Sequence, residues 1–192
     1  MKELCMPLFN GISDESWQEF LLANPILHRE INEDLKAQAY PAVYYENNVI
    51  YPIPYRLFYD ASCQLKSPKS MDAELFCVIE KVLLTRHHNG FIRADAVMYL
   101  LQKNILASHS FVAPYLIRLL GEYVREIWQM IYQAKGLFQV DLVQKFVLSN
   151  LKFLQISFDR KMTYTNEYYR NDSNNYKDAE GYKMIQYLKA MI

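Results

Sequence analysis

The chain has 192 residues, enough for one domain with a hydrophobic core that needs neither disulfides nor a metal to support it. Hydrophobic residues make up 52% of the chain and charged residues 22%, which excludes an extensively disordered protein. Basic and acidic residues both number 21, so the broad positive field of most sequence-independent nucleic-acid binders is absent. Residues 1–96 carry 9 basic and 13 acidic side chains and residues 97–192 carry 12 and 8, an asymmetry that ordinary solvated surface explains as well as a binding patch does.

Cysteine usage and hydropathy bear on the cellular location. Cys5, Cys63 and Cys77 are odd in number and widely spaced, which disfavours a disulfide framework or a zinc site and is typical of a reducing compartment. The first residues lack the apolar run of a signal peptide, and charges interrupt every long apolar stretch. We therefore expect a cytoplasmic protein with no membrane contact.

Two helices are predicted at the start of the chain, near residues 14–23 and 25–38. Ser13 with Ser16, or Asn24 with Pro25 at the first helical position, supplies the groups that a helix start requires. Apolar residues follow at helical spacing after Ser16.

A different pattern follows between residues 40 and 59. Pro41, Pro52 and Pro54 forbid a continuous helix, while β-branched and aromatic residues flank Asn47-Asn48, a pair that tolerates the left-handed backbone of a tight turn. The sequence predicts a small β-hairpin or extended insertion near residues 42–56, followed by a polar linker to residue 70.

The sequence after residue 70 predicts helices almost to the end of the chain. Breaks are predicted at 88–90, 104–110, 121, 136 and 171–175, where Gly, Asn or Ser residues cluster. The predicted fold is all-α in a single domain over 1–192. Its parts are N-terminal helices at 1–40, a Tyr/Pro-rich insertion and linker at 41–70, two repeat-like helix pairs at 71–135 and C-terminal helices at 137–192.

An internal repeat is visible in the central helical region. Residues 84–93 and 116–125, offset by 32, each join an apolar helix to a short break, an aromatic residue, a β-branched residue and an arginine. This pattern predicts stacked helix pairs that share one core.

A family resemblance rests on these residues. Residues 89–96 read Asn-Gly-Phe-Ile-Arg-Ala-Asp-Ala, and residues 113–125 contain a proline in the first helix and the Tyr-Val-Arg triplet that opens the second. The stretch from about 72 to 133, especially 86–133, resembles the HEAT-like helical repeats of bacterial proteins. The resemblance implies a HEAT-like stack of antiparallel helix pairs, an α-α superhelix. After Arg125 the second unit has Glu126-Ile127-Trp128 where a small alanine is expected, so it departs from the family pattern.

The patterned arginines are Arg93 and Arg125. In HEAT-like units such an arginine reaches acidic side chains or helix carbonyls of the preceding repeat, so the resemblance implies a structural role for both. Ligand or phosphate binding is the alternative.

Two further pairs of residues carry possible chemistry. His87 and His88 could bind a metal or act as a base, but adjacent helical residues point about 100° apart, so capping of a helix C-terminus is preferred. Glu122 and Glu126 at i, i+4 spacing could form an acid/base pair, although a surface salt bridge from Arg118 to Glu122 explains the pattern equally.

No motif for catalysis or cofactor binding is present. The five glycines form no phosphate-binding loop, and the signatures of serine and cysteine nucleophiles are absent. The sequence therefore assigns no catalytic, cofactor-binding or metal-binding residue, and we do not expect an enzyme.

Tyrosine is the compositional outlier, with 16 residues, of which 12 cluster at 40–59 and 164–187. Tyrosine suits protein interfaces because it combines large contact area with a hydroxyl group. The predicted partner-binding residues are Tyr44, Tyr45, Tyr51 and Tyr55, in a non-enzymatic helical-repeat module that binds another protein.

The alternative is a nucleic-acid-binding or base-modifying protein, because the HEAT-like resemblance extends to DNA glycosylases. Residues 159–170 mix basic and aromatic side chains, as single-stranded nucleic acid requires, but acidic residues among them and the zero net charge weigh against it. A small-molecule enzyme with a pocket lined by Glu122 or His87 is a third hypothesis.

Overall fold

A computed structural model describes residues 8–9, 11–38, 42–60, 64–102, 105–139, 141–168 and 180–191. Within these ranges the chain is mostly helical and contains one two-stranded antiparallel sheet, which confirms the predicted helical class and hairpin insertion. None of the described helices has the length and apolar character that crossing a bilayer requires.

The helices and strands follow one another in this order along the chain: α1 (Asp14–Ala23), α2 (Pro25–Ala37), β1 (Ala42–Glu46), β2 (Val49–Ile53), α3 (Ala73–Leu84), α4 (Gly90–Gln102), α5 (Val112–Leu119), α6 (Arg125–Gln133), α7 (Asp141–Ser149), α8 (Leu151–Tyr168) and α9 (Glu180–Lys189). Short 3-10 helices occupy Ile105–Ala107 and Lys135–Phe138. The predicted breaks near 88–90, 104–110, 121 and 136 coincide with the observed ends of helices, and the break at 171–175 lies outside the described residues.

The chain divides into two compact units, residues 1–96 and 97–192, with the boundary inside α4. This boundary coincides with the charge asymmetry of the sequence, so the first unit has more acidic side chains and the second more basic ones. Each unit has its own buried apolar core.

In the first unit, α1 begins where the Ser13 hydroxyl accepts a hydrogen bond from the Ser16 backbone N–H, at 3.1 Å. Trp17 and Phe20 stack in the core with ring centroids 5.2 Å apart. Further along, the Asp72 carboxylate caps α3 by accepting from the backbone N–H groups of Glu74 and Leu75. Side-chain oxygens at these helix starts satisfy donors that have no partner within the helix.

The side chain of Asn24 binds the backbone of the loop at Lys66 and does not cap α2. Its Nδ2 donates to the Phe20 and Lys66 carbonyls at 2.8 and 2.9 Å, and its Oδ1 accepts from the Lys66 N–H at 2.8 Å. The amide carries both donors and an acceptor, so it can pair with both backbone groups of Lys66 at once. A buried asparagine thus joins the end of α1 to the segment that precedes α3.

Replacing Asn24 with alanine is expected to lower the free energy of unfolding by about 2–3 kcal/mol, because the buried bond to the Phe20 carbonyl and the two part-buried bonds to the Lys66 backbone are lost. Urea denaturation followed by circular dichroism measures the change. Asn166→Ala, at an exposed site on α8, is the matched control and should stay within about 0.5 kcal/mol of the wild type. Equal effects of the two substitutions would contradict the assigned role of Asn24.

In the second unit, α5 is the most enclosed element. All eight of its residues are buried, including Arg118, and it packs against α6, α7 and α8. α9 packs mainly against α6. The side chains of Met184, Ile185 and Leu188 on α9 have no exposed surface, so this helix completes the core of the unit.

Candidate interaction surface

The β-hairpin closes with a two-residue turn at Asn47 and Asn48, as the sequence predicts. Both residues have left-handed backbone angles, with φ of 50° and 64°. Turns of this kind match the twist of the flanking strands and favour asparagine or glycine. The turn fixes the register, which places Tyr44 opposite Tyr51 and Tyr45 opposite Ile50.

One face of the hairpin belongs to the core. Tyr44 and Tyr51 stack directly across the strands with ring centroids 5.0 Å apart and an angle of 19° between their planes. Both side chains are buried, and burial is the first cause of a raised pKa for the Tyr51 hydroxyl. This pair anchors the two strands to the first unit.

The other face and the turn present apolar side chains to solvent. Tyr45 is 48% exposed and its cross-strand partner Ile50 is 43% exposed. Val49, directly after the turn, is also 43% exposed. We call these three residues the hairpin surface. These exposed apolar side chains contribute little to the stability of the hairpin itself. Exposed apolar side chains grouped on an ordered element are typical of contact sites.

The four tyrosines predicted to bind a partner therefore occupy different environments. Tyr44 and Tyr51 lie in the core, Tyr45 is exposed, and Tyr55 is half-buried with the Arg56 guanidinium 4.9 Å from its ring centroid. Sequence reasoning missed Val49 and Ile50 because they read as ordinary strand residues. The register would have revealed Ile50, because alternate residues of a strand point to opposite faces.

The chain after the hairpin is fixed by charged side chains. The Asp34 carboxylate on α2 accepts from the backbone N–H groups of Tyr55 and Arg56 at 2.6 and 3.0 Å. The fully buried Arg86 donates through Nε and Nη2 to the carbonyls of Pro54 and Tyr55 at 3.0 and 2.8 Å. Charge-assisted hydrogen bonds of this kind hold the base of the hairpin in one position.

His87 links the same segment to the turn after α3. Its Nδ1 accepts from the Asn89 backbone N–H at 3.0 Å, so the proton lies on Nε2, which donates to the Tyr59 carbonyl at 2.7 Å. Burial is the main cause that lowers the pKa of His87, and a neutral ring fits both hydrogen bonds. His87 thus connects two loops and does not cap α3 with its imidazole.

His88 packs against Phe58. Its ring stacks on the exposed Phe58 with centroids 5.2 Å apart and a 10° angle between the planes. Within the described ranges, no three His, Cys, Asp or Glu side chains cluster closely enough to hold a metal ion.

The two patterned arginines differ in their surroundings. Arg93 is fully buried in the first turns of α4, and its Nη1 donates to the His87 and His88 carbonyls at 2.8 Å each. Arg125 is exposed and is the first residue of α6. The residues that align in sequence therefore sit at different positions of their helices.

Glu122 and Glu126 do not share a helical face. Glu122 is buried in the turn between α5 and α6, whereas Glu126 is exposed in the first turn of α6. Arg118 is also buried, so the predicted solvated pair of Arg118 and Glu122 lies in the interior. The sequence concealed this because charged residues at i, i+4 spacing usually mark exposed helices.

Three tyrosines form a second aromatic cluster, in the second unit. The ring centroids of Tyr123, Tyr164 and Tyr168 lie 5.9 to 6.1 Å apart in all three pairs. Tyr123 and Tyr168 are exposed and Tyr164 is half-buried. Tyr164 and Tyr168 belong to a tyrosine cluster noted in the sequence, whereas Tyr123 joins them only through the turn before α6.

No protein-family model matches the chain, and neither curated proteins nor solved structures give a significant match. The function is therefore inferred from the geometry of these surfaces.

Proposed function

We propose that this chain is a non-enzymatic helical protein-binding module whose hairpin surface contacts a partner protein. The observation that carries the proposal is the division of the hairpin into two faces. Tyr44 and Tyr51 hold the strands in the core, while Tyr45 and Ile50 on the opposite face are half-exposed apolar side chains. The helices that the sequence likens to HEAT-like repeats are the scaffold in this proposal.

The energetic case rests on rigidity and apolar area. Fully burying an exposed isoleucine contributes about 1.5–3 kcal/mol, and Ile50, which is 43% exposed, can contribute about half of this on contact with a partner. Aromatic anchors such as Tyr45 dominate the energy of many interfaces. Since Asp34 and Arg86 already fix the base of the hairpin, binding costs little ordering of the chain there.

A second function, binding of single-stranded nucleic acid by the second unit, is favoured by the Tyr123, Tyr164 and Tyr168 cluster. Bases stack on exposed aromatic rings, and residues 97–192 carry 12 basic against 8 acidic side chains. The exposed Glu167 on the same helix opposes phosphate binding, so this function ranks below the first.

The test is affinity capture from a native lysate, with and without nuclease, using the wild-type chain and a Tyr45→Ser, Ile50→Ser variant. A stoichiometric protein partner should survive nuclease and should be retained at least about tenfold less by the variant, since two apolar anchors are lost. The matched control is Leu148→Ser, Leu151→Ser, which changes two similarly exposed apolar side chains in the second unit and should retain the partner.

Two outcomes would overturn the proposal. Equal capture by the hairpin variant and the wild type would remove the hairpin surface from the interface. Capture that disappears with nuclease, and that Tyr164→Ala with Tyr168→Ala weakens, would favour nucleic-acid binding.

A further inference from the structure

A lysine lies in the interior of the second unit, where three helices meet. Lys161 on α8 has no exposed surface, and its Nζ lies 3.0 Å from the ring centroid of Trp128 on α6. On the α9 side, Gly181 leaves the space that the lysine fills. A Cβ atom at Gly181 would lie 2.7 Å from Cε of Lys161 and 3.3 Å from the Trp128 ring.

Several neighbours shift the pKa of this amine, and they act in opposite directions. Burial lowers the pKa of Lys161 to about 7, because a charge loses its hydration inside the protein. Glu180 on α9 raises this pKa and Arg125 on α6 lowers it. The face of the Trp128 ring attracts the charged form of the amine.

Lys161 packs against the first turn of α9. Glu180 and Gly181 begin this helix, and its buried residues Met184, Ile185 and Leu188 follow one to two turns later. Separation of α9 from α6 would expose Gly181 and admit water to the amine of Lys161. Opening of α9 and hydration of the lysine are therefore the same event.

We propose that Lys161, enclosed by Trp128 and Gly181, is a proton-controlled clasp that holds α9 in place and loosens it when the amine becomes protonated. In the open state the hydrated amine has its ordinary pKa of about 10.5, well above the value of about 7 in the closed state. The open state therefore binds more protons between these values, and the closed state gains stability as the pH rises from about 7 towards 10.5. Below about pH 7 both states are charged, and the closed state has its lowest stability.

Hydrogen exchange of the α9 amides tests the clasp in the intact protein. The opening equilibrium should rise about 20-fold between pH 8.5 and pH 6.5, because opening takes up close to one proton at pH 8.5 and still about a quarter of one at pH 6.5. Lys161→Met keeps an unbranched side chain in the same space but cannot titrate. Comparing wild type and variant at each pH cancels the chemical pH dependence of exchange, and the Met variant should show no such rise.

The charge of Lys161 can be followed separately by NMR. In wild-type protein with ¹³C-labelled lysine, one Cε resonance should titrate near pH 7. Its midpoint should fall in Glu180→Gln and rise in Arg125→Gln, since these changes remove opposite charges. Both sites have solvent contact, so neither substitution disturbs the core.

Each measurement has an outcome that overturns the proposal. A Lys161 resonance that titrates only near its ordinary pKa would show that the amine is hydrated in the native protein. Exchange of the α9 amides with the same pH dependence in wild type and Lys161→Met would show that the lysine does not control opening.

Discussion

Replacing Arg93 with methionine is expected to lower the free energy of unfolding by about 3–5 kcal/mol. The fully buried guanidinium donates to the His87 and His88 carbonyls, which close the turn between α3 and α4. Methionine restores much of the apolar volume but no donor, so the buried His87 carbonyl and the partly buried His88 carbonyl lose their hydrogen bonds to Arg93. Urea or thermal denaturation followed by circular dichroism measures the loss.

The control for this prediction is Arg125→Met, at the residue that aligns with Arg93 in the internal repeat. Arg125 is exposed at the start of α6, so its replacement should change stability by no more than about 0.5 kcal/mol. Similar losses in both variants would mean that the arginines are equivalent, as the repeat alone suggests. A loss below about 1 kcal/mol for Arg93→Met would contradict its assigned role.

Gly181→Val is expected to destabilise the second unit by about 3 kcal/mol, mainly through overpacking. The new Cβ alone would approach Cε of Lys161 to 2.7 Å and Cδ to 3.2 Å, in a space with no opening to solvent. Helix propensity slightly favours valine over glycine, so the loss must come from the steric conflict. The midpoint and slope of urea denaturation give the change in free energy.

Two comparisons isolate this conflict. Gly136→Val introduces the same side chain where no atom lies within 4 Å of the new Cβ, and it should cost less than about 1 kcal/mol. In a Lys161→Ala background the cost of Gly181→Val should fall by at least about 1.5 kcal/mol, because the lysine side chain has gone. Additive effects of the two substitutions would refute direct packing of Gly181 on Lys161.

Local patterns predicted the secondary structure well. The pair Asn47-Asn48 between β-branched and aromatic residues indicated a hairpin, and this turn type is set by those residues alone. Ser13 and Pro25 indicated where helices begin, and the glycine and asparagine breaks indicated where helices stop. Such signals act over a few residues and need no knowledge of the tertiary structure.

The burial of the candidate site residues depends on contacts between residues that are far apart in the sequence. Local sequence patterns therefore did not predict it. Tyr44 and Tyr45 are neighbours of the same type, yet one is buried and the other exposed because the strands alternate. Lys161 follows Asp159 and Arg160, a run that reads as solvated surface. Its burial results from Gly181, which is distant in sequence and leaves the necessary space on α9.

The enclosure of α5 has a consequence for synthesis of the chain. Its eight residues are buried, and the three helices that pack on it, α6, α7 and α8, are all translated later, the last of them ending about 50 residues downstream. At about 5–20 residues per second, this apolar segment waits several seconds on the ribosome before its partners exist. Because so short a helix is unstable alone in water, the nascent segment stays largely unfolded until the later helices of the second unit pack around it.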